Sequence, residues 1–244
     1  MSKIVNLCDR WKIKEQDYIF DEERVLVGSY SCVNHLKYLV SYFEKNECYN
    51  INYDIVLPVF PEDQLEYLQT ECMHKIIDNC NCIVVNDFGM LEHFKEYKNI
   101  RLGRLFFKDY KDKRYEKYDT GRYKLKFSAL LSSLKKMGYS IHELECDCVS
   151  QNFEIESTDD VKVYVHYPYR QLACGHICEF ASIGKRIEKK FLPDDICSMQ
   201  CRGVMIKTQD PEYIKIGKCV YDLLDSRYID GFLEDYEIIF TPRW

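Results

Sequence analysis

Cys174, Cys178, Cys197 and Cys201 form a C-x3-C…C-x3-C array with eighteen residues between its inner members. A fifth thiol, Cys32, ends the much earlier run VLVGSYSC. Thiols gathered in pairs in a reducing compartment hold metal or do redox chemistry more often than they form structural disulfides. Four thiolates suit tetrahedral zinc or an iron–sulfur cluster. The x3 spacing is looser than the C-x2-C knuckles of zinc ribbons, and a distant ligand at a strand end is more typical of a cluster lodged in a fold. Spacing alone leaves zinc and cluster both open. The chain carries thirteen cysteines in all. Of these, Cys48, Cys72, Cys80, Cys82 and Cys219 fall within apolar periods and read as small core hydrophobes. Cys146 and Cys148 alternate on a strand and read as a reserve pair facing one way.

Other reactive side chains lie at the ends of apolar runs. His166 and His176 flank the array and are candidate acids, bases or donors to cluster sulfurs. Asp87 is placed to orient a substrate or to cap the helix that follows it. Arg104 has the planar fork that binds a carboxylate at two points, or it belongs to the basic stretch after it. No G-x-S-x-G or H-E-x-x-H is present, and no Cys/His/Asn set can be picked out, so a hydrolytic centre has no signature here.

These residues must be positioned by the elements around them. Short apolar runs at Ile4–Leu7, Arg24–Gly28, Tyr53–Phe60, Cys82–Asn86, Ile100–Phe107, Ile141–Cys146 and Val161–His166 read as strands, with weaker ones at Val204–Ile206 and Ile238–Phe240. Between them Val33–Glu44, the stretch opened by Pro61, Met90–Tyr97, Lys126–Met137 and Pro211–Leu224 have helical spacing. Alternation of this kind argues for parallel βα units. At 244 residues it predicts an α/β fold, an irregular or truncated (β/α)8 barrel over residues 1–244, since barrels average about 250 residues. An open doubly wound sheet is the alternative. The absence of G-x-G-x-x-G after the early strands removes its dinucleotide-binding version. Barrel chemistry sits at the C-terminal ends of the strands, which is where Cys32, Asp87, Arg104, His166 and the array all fall.

Charge and targeting narrow the class. The net charge of −6 argues against a general nucleic-acid surface. Nothing apolar is long enough to span a membrane. The N-terminus MSKIVNLCDRWKIKEQDY has no signal-peptide core, so the expected location is the cytoplasm. Arg101–Lys126 nonetheless holds ten Lys/Arg against four Asp/Glu. Tyrosines are interleaved with the basic residues, which makes a basic Tyr-rich loop at about 108–126. That loop reads either as a solvated connection or as a dock for an anionic or acidic partner.

The passage VKVYVHYPYRQLACGHICEFASIGKRIEKKFLPDDICSMQCRG resembles a known family, the collagenase-like peptidases of unassigned mechanism (peptidase family U, number thirty-two). It is most similar to their iron–sulfur branch, the UbiU/UbiV type of ubiquinone biosynthesis. His166, Pro168, Leu172, Ala173 and Cys178 match the family's first array segment, and Cys197 and Cys201 its second. VLVGSYSC matches the strand that ends in the family's earlier ligand, with Cys32 at the same offset from Gly28. CIVVNDFGML matches another strand end through Asn86, Asp87 and Gly89. The resemblance covers about residues 1–210. It implies a barrel-like fold and a 4Fe–4S cluster on Cys32, Cys178, Cys197 and Cys201, with Cys174 as an extra thiol or substitute ligand. It further implies oxygen-independent hydroxylation or a related redox modification, with a paralogous protein as heterodimer partner. Departures are the short chain, a truncated first helix, Ile177 in place of an arginine, and the basic loop after Phe107. Two other readings stand beside it: a non-catalytic binding or scaffold subunit with structural zinc or a cluster, and a peptidase acting on a modified peptide.

Overall fold

The computed structural model describes residues 3–10, 24–46, 51–107, 123–147, 153–156, 160–175, 177–190, 197–209, 213–224 and 236–242. Most of the basic loop, together with Cys48, Cys148 and His176, lies outside the described residues.

Eight parallel strands close into a barrel. In chain order they are β1 (Lys3–Asn6), β2 (Arg24–Gly28), β3 (Tyr53–Val56), β4 (Ile83–Val85), β5 (Ile100–Leu102), β7 (Glu143–Asp147), β9 (Lys162–Tyr167) and β14 (Glu237–Phe240). Pairing runs β1–β2–β3–β4–β5–β7–β9–β14 and returns to β1, where Lys3 aligns with Ile238. Helices α1 (Val33–Asn46), α2 (Glu71–Asn79), α3 (Phe88–His93) and α4 (Ser128–Lys136) cover the outside. A short parallel pair, β6 (Tyr123–Leu125) with β8 (Phe153–Ile155), stands apart from the barrel.

Side chains alternate along each strand, so period two divides them between two cores. Val25, Val27, Ile55, Ile83 and Val85 face outward and pack on α1 and α2 residues such as Leu36, Leu39, Met73 and Ile76. Ile4, Leu26, Val56, Val84, Tyr164 and Ile239 fill the interior. Cys146 faces the outer core with Leu144 and Val165. It packs there, and Cys148, the other half of the expected reserve pair, lies outside the described residues.

Two local expectations are corrected. The stretch opened by Pro61 divides into a 3-10 segment, Glu62–Gln69, and α2, because Thr70 is extended between them. The stretch 211–224 forms no helix over its described part. Tyr213–Ile216 (β12) and Cys219–Leu223 (β13) make a hairpin around Gly217 and Lys218. This hairpin joins β10 (Tyr169–Cys174) and β11 (Ile206–Lys207) in an antiparallel sheet of order β10–β13–β12–β11. The sheet lies in the connection from β9 to β14. Its Ile214, Ile216, Cys219 and Tyr221 pack with Tyr30 and the barrel's inner core, so it caps the barrel at the C-terminal ends of the strands.

Candidate metal centre

The loop from Gly28 to Cys32 carries the first thiol. Gly28 has φ +118°, and a Cβ there would stand 2.2 Å from the Val56 carbonyl oxygen. Only glycine lets this strand end press so close to β3. Asp9 gathers the loop: Ser29 and Ser31 hydroxyls donate to Oδ1 at 2.5 and 2.6 Å, and the Tyr30 amide donates to Oδ2 at 3.1 Å. The Ser29 hydroxyl in turn accepts from the Ser31 and Cys32 amides at 3.0 Å each. Cys32 therefore sits at a fixed point immediately before α1. Burial pushes its thiol up to about 11, while the His35 and Asn34 amides at the helix start pull the other way.

Cys201 comes to the same place from the far end of the chain. Cys201 is 3% exposed, and its thiol is raised to about 12, first by burial and then by Cys32, Cys178 and Cys197. All three are thus near enough to oppose its ionisation. Cys197 receives the Met199 amide on its sulfur at 3.4 Å. The turns around Cys201 are closed by Arg202 N–H to Met199 carbonyl and Val204 N–H to Cys201 carbonyl. Cys174 goes elsewhere: its thiol points to the Tyr30 carbonyl at 3.5 Å and neighbours Cys219. Cys32, Cys178 and Cys197 are thus the thiols whose charge bears on Cys201, while the Cys174 thiol meets the Tyr30 carbonyl and Cys219.

A relay stands behind Cys201. His35 Nε2 is 3.3 Å from its sulfur and His35 Nδ1 is 3.0 Å from Asp9 Oδ1. Burial alone would raise the Asp9 carboxyl, but His35 and the two serine hydroxyls hold it below its ordinary value. Sequence reading missed both Asp9 and His35. The available signal was position: Asp9 follows the first strand, and His35 is three residues after Cys32, on the same side of a helix start.

Of the remaining candidates, His166 belongs to a second buried network. His166 Nε2 is 3.1 Å from Glu145 Oε2, which also accepts from the Tyr30 hydroxyl at 2.6 Å. Arg101 reaches Glu145 Oε1 at 3.2 Å, Asp54 at 3.0 Å and Glu143 at 2.6 Å. Burial would raise Glu145, but His166, Arg101 and Tyr30 together bring it down to about 2. Arg104 is buried, bonds Asp147 and the Tyr169 carbonyl, and lies between the Tyr30 and Tyr221 rings. Its fork therefore ties the cap to the barrel. Asp87 caps α3 by accepting the Met90 amide at 2.9 Å. Glu143, Glu145 and Asp147 alternate with Leu144 and Cys146, an inward acidic face that the sequence displays and that was overlooked.

Whether metal fits is answered by the donor set. After burial, the groups that act most on Cys201 are the thiols Cys32, Cys178 and Cys197, soft donors and not carboxylates. Burial and those neighbouring thiols oppose ionisation of Cys201, and a soft cation bound there would offset both. Among the described residues no group of three or more His, Cys, Asp or Glu side chains is arranged to hold a metal ion as the chain stands. Among them, too, no helix is long and apolar enough to cross a membrane. Comparisons with family models, curated proteins and solved structures found no match to this chain.

Proposed function

We propose that this chain is an iron–sulfur protein similar to the collagenase-like peptidase family, with Cys32, Cys178, Cys197 and Cys201 as cluster ligands. The observation that carries the reading is the selection among thiols. Of the five candidates, Cys32, Cys178 and Cys197 bear on Cys201, as the resemblance would have it, and Cys174 meets Cys219. A 4Fe–4S cluster bound there would supply one-electron transfer, tuned by burial and by hydrogen bonds to its sulfurs. The chain's own residues position and insulate it. Asp9 orients His35 toward the Cys201 sulfur, the Met199 amide meets the Cys197 sulfur, and the cap excludes water from the barrel mouth.

The activity we assign is participation in an oxygen-independent hydroxylation or related redox modification in the cytoplasm, with a paralogous subunit. The basic loop at about 108–126 is proposed as the contact for an acidic partner. A binding role with structural zinc is the second reading. Peptidase action has less support. Asp9, His35 and Cys201 are ordered like a Cys–His–Asp set, but Cys201 is 3% exposed, so its sulfur is closed to a peptide carbonyl.

The test is anaerobic purification with iron, acid-labile sulfide and zinc analysis. Equal iron and sulfide with a broad visible absorbance is the expected result. Stoichiometric zinc without sulfide would transfer the site to the second reading. Failure to take up either metal after anaerobic reconstitution would overturn the site itself.

A further inference from the structure

Cys174 ends β10 and Cys219 begins β13, and the antiparallel register sets them directly opposite each other. Beyond them, the Gly175 amide donates to the Lys218 carbonyl at 2.9 Å. Hydrogen-bonded and non-hydrogen-bonded pairs alternate along an antiparallel ladder. The cysteines therefore occupy a non-hydrogen-bonded position, where Cα atoms approach to about 4.5 Å and side chains are closest. A disulfide spans Cα separations of about 4.4–6.8 Å, a range that a non-hydrogen-bonded pair meets. The thiols are within hydrogen-bonding reach of one another. They also share one acceptor, the Tyr30 carbonyl, at 3.5 Å from Cys174 and 3.4 Å from Cys219. Gln171 Nε2 donates to the Cys219 sulfur at 3.0 Å, which favours the sulfur's developing negative charge. Cys219 is fully buried and Cys174 only partly so. One thiol thus meets solvent and the other waits behind it.

We propose that Cys174 and Cys219 are a redox-active dithiol, a site separate from the four-thiol centre, whose substrate is a small disulfide of the glutathione class. The Cys174 thiolate attacks one sulfur of the small disulfide, whose S–S bond breaks and releases one thiol. A mixed disulfide remains on Cys174. Cys219, giving up its proton, attacks the Cys174 sulfur and expels the second small thiol. Two protein thiols are oxidised to one disulfide and one small disulfide is reduced to two thiols. The two protein protons end on the two leaving groups. Closing the disulfide removes both S–H donors from the Tyr30 carbonyl, two residues before Cys32, so the oxidation state of the cap is felt at the loop that carries that thiol.

The test treats the full chain anaerobically with oxidised glutathione, then alkylates, digests and reads peptides by mass spectrometry. A Cys174–Cys219 linked peptide that dithiothreitol abolishes is expected. Cys219→Ser should instead trap glutathione on Cys174, because nothing remains to resolve it. Free alkylation of both cysteines, or linkage of Cys174 to Cys178 or Cys32, would overturn the proposal. The same treatment of Cys197→Ala separates this from the metal reading. A link formed equally there stands whatever the four-thiol centre binds. A link that needs Cys197 would place all the thiols in one centre and refute a separate site.

Discussion

His35 Nε2 lies 3.3 Å from Cys201 Sγ, joining α1 to a turn 166 residues later. The imidazole is held from behind by Asp9, which Ser29, Ser31 and the Tyr30 amide fix in turn. A polar ring nitrogen this close to a sulfur bears on the charge that sulfur can carry, and the group behind the ring decides whether it stays aimed.

His35→Leu should therefore leave the fold in place and shorten the lifetime in air of the proposed cluster. A fall in its midpoint potential should accompany that change. His35→Gln keeps a donor of similar reach and should recover part of both. Spectroscopic redox titration of the three proteins gives the answer. Equal potentials would show that the imidazole only packs.

Replacement of Cys32, Cys178, Cys197 or Cys201 by Ala should each lower bound metal severalfold at least, since ligands of this type are individually needed. Cys174→Ala should retain full metal content, because its thiol is engaged with Tyr30 and Cys219. Metal-to-protein ratios after anaerobic purification decide it. Loss with Cys174→Ala and retention with Cys32→Ala would mean that the local array alone is the site.

Glu145 predicts an acid limb of stability. Its folded value is about 2 against about 4.3 in an unfolded chain. Because the folded value is depressed, its contribution is complete above the unfolded value and is lost as pH falls from about 4.3 toward 2. The amount is about 3 kcal/mol at neutral pH. Glu145→Gln should be less stable at pH 7 and should lose less than the parent between pH 5 and 3. Urea denaturation across that range measures both, and parallel pH profiles would remove Glu145 from the account.

Gly217 turns the cap's hairpin with φ +54°, and a Cβ there would lie 2.8 Å from Ser31 Oγ and 3.4 Å from His35 Cε1. Gly217→Ala should cost about 1 kcal/mol or more through left-handed backbone alone. It should also disturb His35 and so reduce metal retention beyond what the stability loss explains. Normal retention in a destabilised Gly217→Ala protein would show that the cap tip does not bear on the site.

Much of the barrel was legible because its signals are local. Inward and outward residues alternate at period two in YDIV and RVLVG, and α1 repeats Leu36, Leu39, Val40 and Phe43 at helical spacing. The hairpin at 213–223 was misread because Ile214, Ile216 and Val220 fit either period over so short a run. The two-residue turn at Gly217–Lys218 was the signal that separates them. Which thiols assemble is a different kind of fact. Cys174 and Cys178 have the same spacing relation as Cys197 and Cys201, and nothing local tells the four apart. The sequence by itself determined a thiol-rich α/β chain with its reactive residues at strand ends. Tertiary structure alone decided that closing the barrel carries Cys32 and His35 to Cys201. It also decided that the β10–β13 register turns Cys174 toward Cys219, because strand pairing and ring closure depend on residues far apart along the chain.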